Sequence, residues 1–273
     1  MTIDPKRPIT EALPRFLSGA GLLFDGIGLL RAERSLWPLA AVPVVFSTLA
    51  LAAALGVMVS NAAEIRAWID GLLPILTVSH WYEWIWIGPA QFLLASLACF
   101  IFLLIAAGVA LISLMVASLI SAPFLDRLSW RVERLVSGAV SESDESSLRS
   151  LSADVVRSLV AEAQRILFFV SIWIPLVAVG LLIPGAQLIT GPLLVLLTIV
   201  ILPLEFCAYT LDRRRVSFKQ RRAWLRRDLP TTLGFGSVAF VACFVPGLNL
   251  VMIPGLVTAG TLLVVKQGPE AGL

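Results

Sequence analysis

The chain has 273 residues, of which 58% are hydrophobic and only 14% charged, with a mean hydropathy of +0.92 and a formal net charge of +3. A soluble domain is about half apolar and about a quarter charged, so this balance excludes one and indicates an integral membrane protein. One histidine and three cysteines, Cys99, Cys207 and Cys243, each inside an apolar run without a partner at ligand spacing, argue against a zinc site, a disulfide scaffold or a catalytic His/Cys pair.

In chain order, Ile9, Leu13, Phe16, Leu17, Leu23, Phe24, Ile27 and Leu30 recur largely at steps of three and four, with Glu11, Arg15 and Asp25 between them. This predicts an amphipathic helix over 9–31 lying in the membrane interface. Gly19, Gly21, Gly26 and Gly28 weaken that helix by up to ~1 kcal/mol each relative to alanine. They suit a helix packed closely against another, and a plain membrane anchor is the alternative. The charges at Lys6, Arg7, Arg15, Arg31 and Arg34 leave no apolar core of the kind a cleavable signal peptide needs, so the first span is expected to be retained.

Residues 36–60 are almost uncharged and long enough for one crossing, since about 20 helical residues span a ~30 Å core. Residues 87–122 form a longer apolar run that must tilt or project beyond the bilayer, with Pro123 expected to mark an end or a kink. Between them lie Trp68, Trp81, Tyr82, Trp84 and Trp86, the aromatic belt of an interface. A charged segment over 123–165 follows, containing the acidic linker 141–147. An apolar hairpin over 166–211 turns at Pro184-Gly185-Ala186-Gln187. A basic loop over 212–230 leads to a second hairpin over 231–265, turning at Pro246-Gly247-Leu248-Asn249. The arms of this last hairpin are runs of about 15 residues, or ~23 Å, short for a crossing. Both turns are uncharged, which fits hairpins that end inside the membrane and equally fits short outer loops.

Of 21 Lys and Arg, five precede the first span, six lie in 127–165, eight in 213–227, and Lys266 is near the end. Only Arg66 lies elsewhere. The positive-inside rule therefore places both termini and both basic loops in the cytoplasm, for a multi-pass protein of the inner membrane. The predicted fold is all-α: two long transmembrane helices, two short helical hairpins that either cross or turn back within the bilayer, and an N-terminal interfacial amphipathic helix, in a single membrane domain.

Three constellations stand out. Arg31, Arg34, Ser35, Leu36 and Trp37 precede the first span, with Ser35 as a candidate N-cap and Pro38 in the first turn. Free N–H groups, the positive helix end and two guanidiniums would attract an oxyanion. Anchoring to anionic headgroups is the competing explanation. Glu205, Tyr209 and Asp212, at steps of four and three, share a helical face, and an ionisable group in a span is a candidate for a pathway or coupling role. A structural salt bridge to the neighbouring arginines is the alternative. The run Arg213 to Arg227 reads as a topology signal that also binds anionic lipid, and as a basic cytoplasmic vestibule for an anion. Nucleic acid is not expected at a run held between two membrane segments. No nucleotide-binding, metalloprotease or hydrolase motif occurs, so the chain is not read as an enzyme and no cofactor or metal is expected.

The order of features resembles one known family. The glycine-bearing amphipathic start, Leu39-Ala-Ala-Val-Pro43, Ser121-Ala-Pro-Phe124, Pro203-Leu-Glu-Phe-Cys-Ala-Tyr-Thr-Leu-Asp212, Val216-Ser-Phe-Lys219 and Pro246-Gly-Leu-Asn-Leu250 are together similar to the CysZ-type sulfate permeases of the etoposide-induced protein superfamily. The resemblance implies two long helices and two part-penetrating hairpins assembled as a homo-oligomer, and sulfate entry for cysteine synthesis. It also implies a sulfate site at the start of the first long helix, carried by a Gly-Leu-Arg-Arg pattern. Counting back from Pro43, the matching positions are Ser35, Leu36, Trp37 and Pro38, so the arginine pair is absent there and Arg31 and Arg34 lie one turn earlier. The runner-up function is a non-transporting scaffold or lipid-interacting protein of the same fold.

Overall fold

A computed structural model describes residues 12–74, 84–138, 167–214, 216–245 and 247–268. Among these residues there is no strand. The helices are α1 (Ala12–Ala32), α2 (Trp37–Ser60), α3 (Ala62–Leu72), α4 (Trp84–Ser137), α5 (Leu167–Leu182), α6 (Gln187–Arg213), α7 (Phe218–Arg227), α8 (Leu229–Phe244) and α9 (Leu248–Gln267), with a 3-10 turn at Arg34–Leu36. The chain is thus an all-α, multi-pass membrane protein. By length and apolarity α1, α6, α9 and the stretches Arg34–Ser60 and Trp86–Ser137 can each cross a membrane. The sequence positions Trp81 and Tyr82, and 141–147, lie outside the described residues.

The chain divides into two compact units, one of Met1–Ala41 with Pro123–Leu273 and one of Val42–Ala122. The boundary falls at Pro123, where an end or kink was expected, yet α4 continues through it to Ser137.

In the larger unit the α8–α9 hairpin is the centre, crossed by α1 on one side and α6 on the other. Every residue of α9 from Pro254 to Val264 is buried, as an evenly apolar helix should be. No hydrophobic force joins helices in lipid, so close approach depends on small residues at the crossings. A Cβ on Gly19 would lie 1.9 Å from the Thr231 carbonyl oxygen, and one on Gly234 would lie 2.0 Å from that of Phe16. Gly236 meets the Ile199 carbonyl and Gly260 that of Phe206 in the same way, bringing α6 onto α8 and α9. The N-terminal helix is therefore an integral layer of this unit, while Leu13, Leu17 and Phe24 on its other face remain exposed.

Both hairpins turn on a glycine at φ +84°, Gly185 and Gly247, where a side chain would be strained. The second hairpin joins the 16-residue α8 to the 20-residue α9, and the first joins α5, described from Leu167 onward, to the 27-residue α6. The apolar run 250–265 is thus the inner part of a helix long enough to span, because Leu248 and Asn249 begin it and Lys266 and Gln267 end it.

Candidate anion site and the polar core beside it

The turn between α1 and α2 is built from short-range bonds. The Glu33 N–H donates to the Leu29 carbonyl at 3.0 Å, and the chain then extends at Glu33 (φ −104°, ψ 95°). The Leu36 N–H donates to the Glu33 carbonyl at 3.1 Å, and that of Trp37 to the Arg34 carbonyl. Leu36 is fully buried, and the Trp37 indole N–H donates to the Leu30 carbonyl at 2.8 Å, so both residues clamp the turn. Arg31, Arg34 and Ser35 are exposed.

This geometry changes the expected chemistry. Ser35 lies inside the 3-10 turn and its side chain caps nothing. The N–H groups of Leu36 and Trp37 are already used and Pro38 has none. Most of the anticipated free backbone donors are therefore gone, and an anion's handles are guanidiniums. Arg31 and Arg34 have no ion pair among the described residues. A third guanidinium joins them, because Arg131 on α4 donates from Nη1 to the Ser35 carbonyl at 3.1 Å. Arg131 stands 96 positions away, so no local pattern signals it. With half-buried Glu33 the turn carries three positive charges and one negative, a net +2 that complements a dianion.

The three residues expected on one α6 face do share it, but they do different things. Glu205 lines a cavity of about 490 Å³ with Phe169, Val170, Trp173 and Ile174 of α5 and Thr198, Ile201 and Leu202 of α6. Tyr209 packs against the core. Asp212 pairs with Arg221 of α7. Asp212 is 60% exposed, so Asp212→Asn should cost no more than ~1 kcal/mol in thermal unfolding of the detergent-purified protein. A capping box at Ser217 and Gln220 starts α7, and the Arg222 guanidinium lies 4.8 Å from the Phe168 ring centre and 5.1 Å from that of Phe218.

Among the described residues, a dense polar cluster lies one residue further on. Arg213 binds Asp126 at 2.6 Å, Ser129 Oγ at 2.8 Å and Glu133 at 3.0 Å, while Arg214 donates to Glu133 from Nη2 at 2.7 Å and from Nε at 3.0 Å. The hydroxyls of Ser129, Thr210 and Thr261 form a buried triangle with oxygen separations of 2.9, 3.0 and 3.2 Å. One network therefore ties α4, α6 and α9 together. Its only sequence signal is the spacing of Asp126, Ser129 and Glu133 at three and four, which puts them on one face of α4.

The family described as sulfate transporter CysZ/etoposide-induced protein 2.4 matches the chain over residues 22–254. The chain belongs to this family. It is similar to a protein named sulfate transporter CysZ from Pseudomonas aeruginosa (strain LESB58), at 30% identity over 94% of this chain and 98% of that one. A protein of the same name from Pseudomonas paraeruginosa (strain DSM 24068 / PA7) is 29% identical over the same shares. One from Pectobacterium atrosepticum is 27% identical over 75% of this chain and 70% of that one. These relatives are named as transporters. Family membership agrees with the resemblance carried by the ordered motifs, and the match begins at Leu22, inside α1.

Proposed function

We propose that the chain is an inner-membrane permease or channel for a small oxyanion, sulfate first, supplying cysteine biosynthesis, with both termini cytoplasmic and the chain working as a homo-oligomer. The observation that carries this reading is the turn bearing Arg31, Arg34 and Arg131, where a net +2 sits at the foot of a membrane-length helix. The names of the relatives favour sulfate among oxyanions. Leu36 and Trp37 hold the turn's shape while the arginines provide the charge.

Entry has an energetic obstacle. A dianion moving inward against ~100 mV, negative inside, meets ~5 kcal/mol at ~2.3 kcal/mol per charge. Passive entry therefore needs roughly a thousandfold outside excess, rapid consumption inside, or a coupled ion. Glu205, an ionisable group in a largely apolar cavity, is the residue assigned here to proton coupling, with Tyr209 and Asp212 along the same helix face. Glu205→Gln is expected to flatten the pH dependence of sulfate flux, and an unaltered profile removes Glu205 from that role.

Liposomes containing the purified protein should take up radiolabelled sulfate well above empty liposomes. Uptake equal to empty liposomes would favour the non-transporting scaffold.

A further inference from the structure

A larger cavity, of about 650 Å³, lies within the Val42–Ala122 unit between α3 and α4. That volume is typical of sites for small ligands, ~300–1,000 Å³. Its α3 wall includes Arg66, Ile69 and Asp70, and its α4 wall includes Leu94, Ala98 and Phe102. Arg66 and Asp70 are the two charged groups in an otherwise apolar lining. Both are exposed, and neither forms an ion pair among the described residues. Arg66 is also the one Lys or Arg between Arg34 and Arg127.

The exposed indoles of Trp68 on α3 and Trp86 near the start of α4 mark the headgroup level of a membrane. From Trp86 the α4 wall reaches Leu94 two turns deeper, ~12 Å along the helix. The cavity thus has a charged mouth at headgroup depth and an apolar body.

We propose that this cavity holds one phospholipid with a zwitterionic primary-amine headgroup, that is, a phosphatidylethanolamine. Its phosphate meets the Arg66 guanidinium and its ammonium meets the Asp70 carboxylate. One acyl chain lies along Ile69, Leu94, Ala98 and Phe102. Residues four apart on a helix hold their Cβ atoms ~5–6 Å apart. That suits a headgroup whose opposite charges are separated by a two-carbon bridge. A free anion fits less well, because Asp70 cancels the charge of Arg66. An anionic phospholipid without an amine, such as phosphatidylglycerol, would leave Asp70 without a partner, and a quaternary ammonium would offer it no N–H donor. The assignment does not depend on which solute the protein transports.

The test is native mass spectrometry of the full-length protein with chain-matched phosphatidylethanolamine, phosphatidylglycerol and phosphatidylcholine supplied together. The wild type should retain one phosphatidylethanolamine in about tenfold preference, the size of one charge-assisted hydrogen bond. Asp70→Asn should abolish the preference, and Arg66→Gln should weaken retention of all three lipids. Both side chains are exposed, and unchanged circular dichroism and gel-filtration profiles identify folded variants. Equal retention of the three lipids by the wild type would overturn the proposal, as would a preference that survives Asp70→Asn. Displacement of the retained lipid by millimolar sulfate would overturn it too, identifying an anion vestibule.

Discussion

Glu133→Ala is expected to lower stability by about 3 kcal/mol, which at ~2–4 °C per kcal/mol is a drop of roughly 6–12 °C in the thermal midpoint. The Glu133 side chain is 5% exposed and takes bonds from both Arg213 and Arg214, whose side chains are 14% and 17% exposed. Removing one member of a buried ionic cluster typically costs ~3–5 kcal/mol, because a desolvated charge loses its counter-charge. The lower end applies here, since the arginines keep some access to solvent and Arg213 retains Asp126. Glu133→Gln keeps an acceptor oxygen and should fall between wild type and alanine. Differential scanning fluorimetry in detergent measures the series. An unchanged midpoint for Glu133→Ala would mean that the network does not hold α4 to α6.

The second large effect is a contrast within one helix. Gly19→Ala should destabilise the protein by about 3 kcal/mol or more, because its Cβ would stand 1.9 Å from the Thr231 carbonyl oxygen and force α1 off α8. Gly21→Ala and Gly28→Ala meet nothing within 4 Å and should instead stabilise by up to ~1 kcal/mol through helix propensity. The same substitution thus takes opposite signs along one helix. Urea or thermal unfolding of the three variants reads the sign directly. Equal behaviour of Gly19 and Gly21 would contradict the close α1–α8 crossing.

That contrast also marks how far the sequence alone reaches. Four glycines in α1 were compatible with close packing and with a plain anchor, and only the partner backbone distinguishes Gly19 and Gly26, which meet it, from Gly21 and Gly28, which do not. Long apolar runs and scarce charge gave the all-α membrane class, since lipid imposes those on composition, whereas α1, expected to lie in the interface, and α9, expected to be short, are each long and apolar enough to cross. Helix ends were less legible. α4 continues through Pro123, and α9 extends past its apolar run, because a helix persists wherever neighbours and water satisfy its backbone. At the candidate site, Arg31 and Arg34 were visible because they sit beside the first span. Ser35 was expected as a cap but lies within a 3-10 turn that uses the nearby N–H groups itself. Arg131, the Arg213–Glu133 pair and the hydroxyl triangle join residues 80 or more positions apart, apart from the Thr210–Thr261 contact at 51. No local periodicity encodes such pairings.

The guanidiniums gathered at the α1–α2 turn are proposed to receive the anion. Equilibrium binding and liposome uptake of radiolabelled sulfate should be measured on wild type, Arg31→Ala, Arg34→Ala, Arg131→Ala and the triple variant, each checked for unaltered folding. About tenfold weaker binding is expected for each lost charge-assisted contact, with uptake by the triple variant falling to that of empty liposomes. Wild-type binding and flux in the triple variant would contradict the account.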